Sequence, residues 1–216
     1  MADLPPIIPI FPLPNVVLFP QVMLPLHIFE PRYRRMVREA ETQTPPLIGM
    51  TLLRGNWQEQ YEGTPDIFPV GCVGEMVRVH PLPDGRFNIM LQGLREFQVL
   101  EETVTKSYRE ARVVWRPSEN ESLAPQDRTE LRRLLERYLR NNEKVQQFLT
   151  DQSIEDAFLV NFFAFHLDFM PIEKQGLLEA VTLQARAERL RDMLDFKLSE
   201  TQWPADPRGP GKTRLH

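Results

Sequence analysis

Proline and glycine divide this sequence into two regions. Of its 20 prolines, 16 lie at or before Pro125, and only Pro171 lies between that residue and Trp203. Gly176 is likewise the only glycine within residues 94–208. Both residue types favour turns and interrupt helices. The first region is therefore predicted to hold short strands and turns, and the second to hold helices.

The first region contains six β-rich runs separated by turn signals. They are residues 15–19, 47–53, 70–79, 86–92, 94–100 and 108–115. Six strands at this spacing indicate a closed or nearly closed barrel. One helix is predicted between them, starting at Pro31 and running toward Glu41, because proline suits a first helical position.

The clearest hairpin joins residues 76–80 to residues 87–91. Gly85 can adopt the positive φ angle that closes the intervening turn. Strict alternation along both strands predicts one buried face. That face would be formed by Val77, Val79, Phe87, Ile89 and Leu91.

The second region shows helical periodicity. Its first apolar stripe is formed by Leu131, Leu134, Leu135, Tyr138 and Leu139. This spacing predicts an amphipathic helix with one buried side. Ser153 resembles a helix cap that opens an apolar, central helix reaching Phe165. Two further helices are predicted, over residues 172–180 and from Leu183 to near Ser199.

These patterns predict an α+β protein in three parts. Residues 1–120 form a β-rich domain with one inserted helix, and residues 121–200 form a domain of four helices. Residues 201–216 contain too few apolar side chains to pack and are predicted to be a disordered tail.

Charge and cysteine content exclude several classes of protein. The formal net charge is −4, and residues 1–120 hold 12 basic and 14 acidic side chains, so neither region is a basic nucleic-acid arm. The single cysteine, Cys72, excludes an internal disulfide and a cysteine-based zinc site. Proline-rich residues 4–29 do not fit a signal helix, and the apolar run 157–170 is too short to span a membrane. These features predict a cytoplasmic protein.

No motif in the sequence predicts catalysis. Residues 209–213, GPGKT, lack the first glycine, the preceding strand and the following helix of a phosphate-binding loop. No serine occupies a nucleophile elbow, and Cys72 is predicted to be buried and inert. His27, His80 and His166 do not lie at metal-ligand spacing. We therefore expect no enzyme activity, cofactor or metal.

Several segments, in order along the chain, closely resemble one known family. Residues 11–20, FPLPNVVLFP, and residues 24–33, LPLHIFEPRY, are similar to the opening of the Lon protease N-terminal domain family, in its stand-alone bacterial form. The resemblance continues through residues 70–77, 82–85 and 92–97 and through the helical segments 174–175, 177–179 and 188–190. It covers roughly residues 7–198 and is more specific than any single motif.

This resemblance implies a PUA-like β-barrel followed by a helical bundle. It also implies binding rather than catalysis, because in the full protease this domain recognises substrate polypeptides while separate ATPase and protease domains perform the chemistry. We expect a non-catalytic module that binds unfolded or tagged polypeptides by apolar contact, or by adding a strand at a barrel edge. A protease or chaperone is a further expected partner.

The expected binding surface lies between barrel and helices, around the apolar segment 24–29. Its candidate residues are His27, Phe29, Glu30, Arg32 and Tyr33, with Arg78 and Arg95 as additional members. For Phe29 and Tyr33 the alternative is a buried anchor for the inserted helix. For Glu30 the alternative is a helix cap.

Two other expectations remain open. PUA-like barrels elsewhere bind RNA, so an RNA-binding protein is the alternative function by fold analogy. The acidic balance opposes it, because phosphate binding needs a basic surface. Exposed strand edges would also permit a homodimer.

Overall fold

The computed structural model describes residues 4–60, 63–103, 106–117 and 122–202. Its strands are β1 (Ile7–Leu13), β2 (Met23–Ile28), β3 (Leu47–Leu52), β4 (Val70–Pro81), β5 (Phe87–Thr103) and β6 (Arg109–Trp115). Its helices are α1 (Pro31–Glu41), α2 (Pro125–Tyr138), α3 (Glu143–Thr150), α4 (Asp156–His166), α5 (Pro171–Leu178) and α6 (Leu183–Gln202), with a short 3₁₀ helix at Trp57–Gln60. The α+β class is confirmed.

The strands pair in a ring. Their order is β2-β5-β4-β3-β1-β6, and β6 also pairs with β5. The long strand β5 allows this closure, because its first half pairs with β2 and its second half with β6. All pairs are antiparallel except β1 with β3. As a result, β2 lies outside the ring and pairs on one side only among the described strands.

The interior of the ring is filled by an apolar cluster that is distinct from the core between the sheet and the helices. It consists of Ile8, Ile10, Leu47, Val73, Phe97, Ala111 and Val113. Phe97 is fully buried there, and two glycines on neighbouring strands make room for its ring. A Cβ added at Gly49 would lie 3.0 Å from Phe97 Cζ, and one added at Gly71 would lie 2.6 Å from that atom.

The hairpin between β4 and β5 is confirmed, with Gly85 at a φ of +80°. Its predicted buried face is wrong at Val77. The register shifts between Met76 and Arg78, so Val77 is a bulge residue and its side chain is 46% exposed. Phe87, Ile89 and Leu91 are buried as expected. A bulge inserts one extra residue and breaks the alternation on which the prediction depended.

The sequence patterns do not predict the two N-terminal strands. Residues 15–19 form no strand, whereas β1 and β2 are strands despite their prolines. In β1, Pro9 lies in the part paired only with β6, and Pro12 lies in the part paired only with β3. Pro25 lies in the outer strand β2. Proline is tolerated where one side of a strand needs no hydrogen-bond donor.

Five helices follow the sheet in the described residues, one more than predicted. The additional helix α3 begins after Asn142, whose side chain accepts a hydrogen bond from the Val145 backbone N–H. Phe148 of α3 packs against Phe162 and Phe163 of α4, with ring centroids 5.2 and 5.9 Å apart. The aromatic residues of the apolar run thus hold α3 in place.

The predicted cap at Ser153 is wrong. Ser153 Oγ instead donates to Asp151 Oδ1 at 2.6 Å, and the N-cap of α4 is Glu155 without a side-chain cap bond. An aspartate two residues earlier competes for the hydroxyl in a local turn. The central position of α4 is nevertheless correct, because Leu159, Val160 and Phe163 are buried.

The helices pack on the outer side of the sheet through one continuous apolar core. This core includes Met36 and Val37 of α1, Ile48 and Met50 of β3, and side chains from all of α2 to α6. Residues 203–216 lie outside the described part of the chain, as do the GPGKT motif and most of the predicted tail. Within the described residues, no helix is long and apolar enough to cross a membrane.

Candidate functional site

A shallow groove lies on the face of β2, β5 and β4 that is opposite to the face on which the helices pack. Three cross-strand rows build this face, because alternate side chains of paired strands point to the same side. Met23, Gln92 and Glu75 form the first row, Pro25, Met90 and Arg78 the second, and His27, Asn88 and His80 the third. The bulge at Val77 brings both Arg78 and His80 onto this face.

The groove has a volume of about 350 Å³. It is lined by Pro25, Leu26, His27, Arg78, His80, Asn88, Ile89 and Met90. Strand β5 forms its floor, and β2 and β4 form its sides. None of the described residues that line it is acidic.

Exposed apolar side chains continue beyond the groove. Phe29, directly after β2, is 60% exposed, and its ring stacks on His27 with centroids 6.3 Å apart. Met23 at the opposite end of β2 is 44% exposed. The apolar bodies of Pro25 and Met90 lie between them. The groove therefore offers an extended apolar strip along β2.

His27 is held in one orientation by two neighbours. Its Nδ1 lies 2.7 Å from Asn88 Oδ1, and its Nε2 lies 3.3 Å from Arg86 Nη1. Because Arg86 can only donate, Nε2 accepts and the proton belongs on Nδ1. Arg86 is also paired with Asp84 through Nη2 at 2.5 Å.

Arg78, unlike His27 and Arg86, is not held by a neighbouring side chain in the described part of the chain. Its side chain is exposed and forms no hydrogen bond or ion pair with any described residue. His80 is also exposed and has no hydrogen-bond partner in the described part of the chain. The groove therefore contains an arginine whose donors are available to a ligand.

The remaining predicted site residues lie elsewhere. Glu30 and Arg32 form an ion pair of 2.9 Å at the start of α1, and Tyr33 is buried with its ring 4.1 Å from that of Phe11. These three residues line a small crevice of about 30 Å³. Glu30 occupies the N-cap position without forming a side-chain cap bond, while Pro31 begins the helix as predicted.

Arg95 lies at the junction between barrel and helices. It lines a crevice of about 420 Å³, and its Nε donates to the Arg116 carbonyl at 2.7 Å. Four other charged groups of this crevice form two ion pairs, Arg128 with Asp156 at 2.6 Å and Arg186 with Glu96. The structure thus brings His27 and Arg78 together, with Phe29 beside them, and separates the other four candidates from this groove.

A third crevice, of about 490 Å³, lies between the C-terminal end of α1, β1 and β6. The Tyr108 hydroxyl donates to Glu39 at 2.6 Å, and Lys106 bridges Glu39 and Glu110 at 3.1 and 3.0 Å. The Tyr108 hydrogen bond, followed by those from Arg35 and Lys106, lowers the pKa of Glu39 to about 2. These charges satisfy each other and are not available to a ligand.

Sequence reasoning missed Pro25, His80, Asn88 and Met90 as members of the groove. Nothing local marks them, because they become neighbours only through the pairing of β2 with β5 and of β5 with β4. Cys72 behaves as predicted: it is fully buried, and burial raises the pKa of its thiol. Within the described residues no cluster of three or more potential ligands could hold a metal ion.

Comparison with known proteins identifies relatives over nearly the whole chain. Residues 7–195 match the family model for the ATP-dependent protease La (LON) substrate-binding domain. The Lon protease of Flavobacterium johnsoniae is 30% identical over 199 residues, which is 88% of this chain and 24% of that protein. The Lon protease of Dictyoglomus thermophilum is 29% identical over 203 residues, or 91% of this chain and 25% of that protein. The chain thus spans about a quarter of the length of these relatives.

Two solved structures share the fold. The Lon N-terminal domain protein from Xanthomonas campestris superposes with a TM-score of 0.64 at 25% identity, covering 85% of this chain and 96% of that one. The N-terminal domain of the Mycobacterium avium complex Lon protease gives a TM-score of 0.70 at 14% identity, covering 88% of this chain and 98% of that one. The family match, the ordered sequence similarity and the shared fold agree, and the chain belongs to the Lon protease substrate-binding domain family.

Proposed function

We propose that this chain binds extended polypeptide segments in the groove formed by β2, β5 and β4. The observation that carries the proposal is the apolar strip of Met23, Pro25, Met90 and Phe29, in which Met90 is half-buried and the other three are exposed. Contiguous exposed apolar side chains commonly mark interaction sites. The substrate-binding description of the family supports the same role.

The face of the sheet suits a polypeptide better than its edge does. Strand β2 has one side that is not paired with any strand in the described part of the chain, and this side could accept an added strand. Pro25 stands in the middle of β2 and has no backbone N–H, so the row of donors along that strand is interrupted. The groove beside it instead presents apolar surface together with Arg78 and the side chain of Asn88.

We also propose that the module is non-catalytic and works in the cytoplasm alongside a protease or chaperone. Its larger crevices contain charged groups paired with one another, and no described arrangement resembles an activated nucleophile. The closed ring of strands supports a PUA-like barrel. Light scattering tests the proposed homodimer, for which the free side of β2 is the expected contact.

The binding test is fluorescence anisotropy of a labelled, permanently unfolded polypeptide titrated with the protein. The double variant Met23→Ser/Phe29→Ala should bind about tenfold more weakly, because it removes apolar area from the strip. The matched control is Leu100→Ser/Val114→Ser, which removes exposed apolar side chains from β5 and β6 away from the groove. Equal affinity of both double variants would exclude the groove as the binding site.

Unlabelled RNA in the same titration tests the alternative function. Apolar polypeptide binding should be insensitive to RNA and only weakly sensitive to salt. Phosphate binding by contrast weakens steeply as salt rises, because counterions are released. RNA binding with a steep salt dependence and no polypeptide binding would replace the proposed function.

A further inference from the structure

We propose that the groove selects segments that carry an aspartate or glutamate side chain among apolar residues, and that Arg78 binds this carboxylate. This inference rests on the proposed function and specifies its substrate class. It starts from one asymmetry: among the described residues, the groove has an arginine without a partner and no acidic lining residue, although the whole chain carries a net charge of −4.

Among the charged groups around the groove that the structure describes, only Arg78 is available as a strong partner for an anion. Arg86 is paired with Asp84 beyond one end of the face. Glu75 is half-buried at the other end, in the row of Met23 and Gln92, and forms no ion pair with a described residue. His27 is engaged with Asn88 and Arg86. Arg78 therefore supplies the positive charge in the groove lining, and His80 lies in the next row.

The position of Arg78 favours an internal side chain over a chain terminus. Arg78 lies in the middle row, opposite Met90, and Met90 in turn lies opposite Pro25. Rows of side chains on one face repeat about every 7 Å along a strand, as do alternate side chains of an extended peptide. The face continues past Arg78 in both directions, toward Met23 and toward His27. A segment lying along it can therefore place one side chain at Arg78 and apolar side chains on either side.

The chemistry of arginine fits this assignment. A planar guanidinium can bind a carboxylate through two parallel N–H donors, and this pairing adds orientation as well as attraction. Because Arg78 is exposed, the gain is that of a surface ion pair, which corresponds to about fivefold in affinity. This gain in affinity should decrease as the salt concentration rises, whereas the contribution of apolar contacts to affinity should not.

The test uses two labelled peptides with acetylated and amidated ends. They share one apolar sequence and differ only by glutamate or glutamine at the central position. The unmodified protein should bind the glutamate peptide about fivefold more tightly at low salt, and the preference should decline at high salt. Blocking both ends restricts the carboxylate to the side chain.

Two variants test whether Arg78 is the source of the preference for the glutamate peptide. Arg78→Gln should bind both peptides equally, at the affinity of the glutamine peptide. Arg133→Gln removes the same charge from an exposed position on α2, and it should retain the full preference. Circular dichroism of both variants checks that the fold is intact.

The outcomes separate the two proposals. If neither peptide binds, the proposed function fails. If both bind the unmodified protein equally well, the groove binds apolar segments and the carboxylate preference is wrong. If the preference persists in Arg78→Gln, or disappears equally in Arg133→Gln, then Arg78 is not the carboxylate partner.

Discussion

Glu39 is a residue whose hydrogen-bond partners strongly change its acidity. Hydrogen bonds from Tyr108, Arg35 and Lys106 stabilise its charged form and hold its pKa at about 2, against an ordinary value of 4.5. A carboxyl whose pKa is lower in the folded state stabilises the fold above its unfolded pKa. This contribution is lost as the pH falls through the folded pKa.

The substitution Glu39→Gln should therefore destabilise the protein at neutral pH, and the difference from the unmodified protein should shrink between about pH 4.5 and pH 2. Urea unfolding at a series of pH values measures this difference in the free energy of unfolding. Glu41→Gln is the control, because Glu41 is an exposed residue two positions along the same helix. A difference for Glu39→Gln that stays constant across this range would contradict the assigned hydrogen-bond network.

Among the elements of the fold, the ring of strands depends on small residues beside Phe97. A Cβ at Gly71 would lie 2.4 Å from the Met50 carbonyl oxygen and 2.6 Å from Phe97 Cζ. We expect Gly71→Ala to destabilise the protein by about 1–3 kcal/mol, as overpacking of a close-packed interior does. Chemical denaturation measures the change.

Gly176 provides the matched comparison. It lies inside α5, and an added Cβ would meet nothing within 4 Å. Glycine inside a helix costs about 0.5–1 kcal/mol relative to alanine, so Gly176→Ala should stabilise the protein by a similar amount. If Gly71→Ala destabilises the protein and Gly176→Ala stabilises it, then the space around the added methyl group, rather than backbone freedom, decides the effect at Gly71. Stability changes of the same sign would refute this.

For the whole molecule, Arg186 links the helices to the barrel. This residue of α6 is 5% exposed, and its guanidinium donates to Glu96 of β5, to Asn161 of α4 and to the Leu177 and Leu178 carbonyls. Removing this buried charge leaves Asn161 without its donor and leaves Glu96 with only the longer ion pair to Arg116, of 3.5 Å.

Arg186→Met should lower the free energy of unfolding by about 3–5 kcal/mol, because Glu96 and Asn161 lose their shared donor. Arg189→Met on the same helix removes an exposed arginine that donates to the Gly176 carbonyl, and it should change stability by no more than about 1 kcal/mol. Urea unfolding of the two variants provides the measurement. Similar losses in both would mean that the junction does not depend on Arg186.

The sequence by itself determined the features that rest on local periodicity and turn chemistry. Proline at position 31 and the spacing of Met36 and Val37 predict α1 with its observed bounds, and Gly85 predicts the β4–β5 turn. The ordered motifs also predict the family. These features depend on residues close together in the chain, whose backbone preferences act before any long-range contact forms.

Only the tertiary structure decided which prolines lie in strands, where the bulge at Val77 falls and which side chains form the groove. His27 and Asn88 are 61 positions apart in the chain, and the pairing of β2 with β5 makes them neighbours. Strand pairing and register depend on what each edge meets in space, and one shifted residue turns every following side chain to the other face. This is why the sequence could point to His27, Phe29 and Arg78 but could not show that Glu30, Arg32, Tyr33 and Arg95 lie elsewhere.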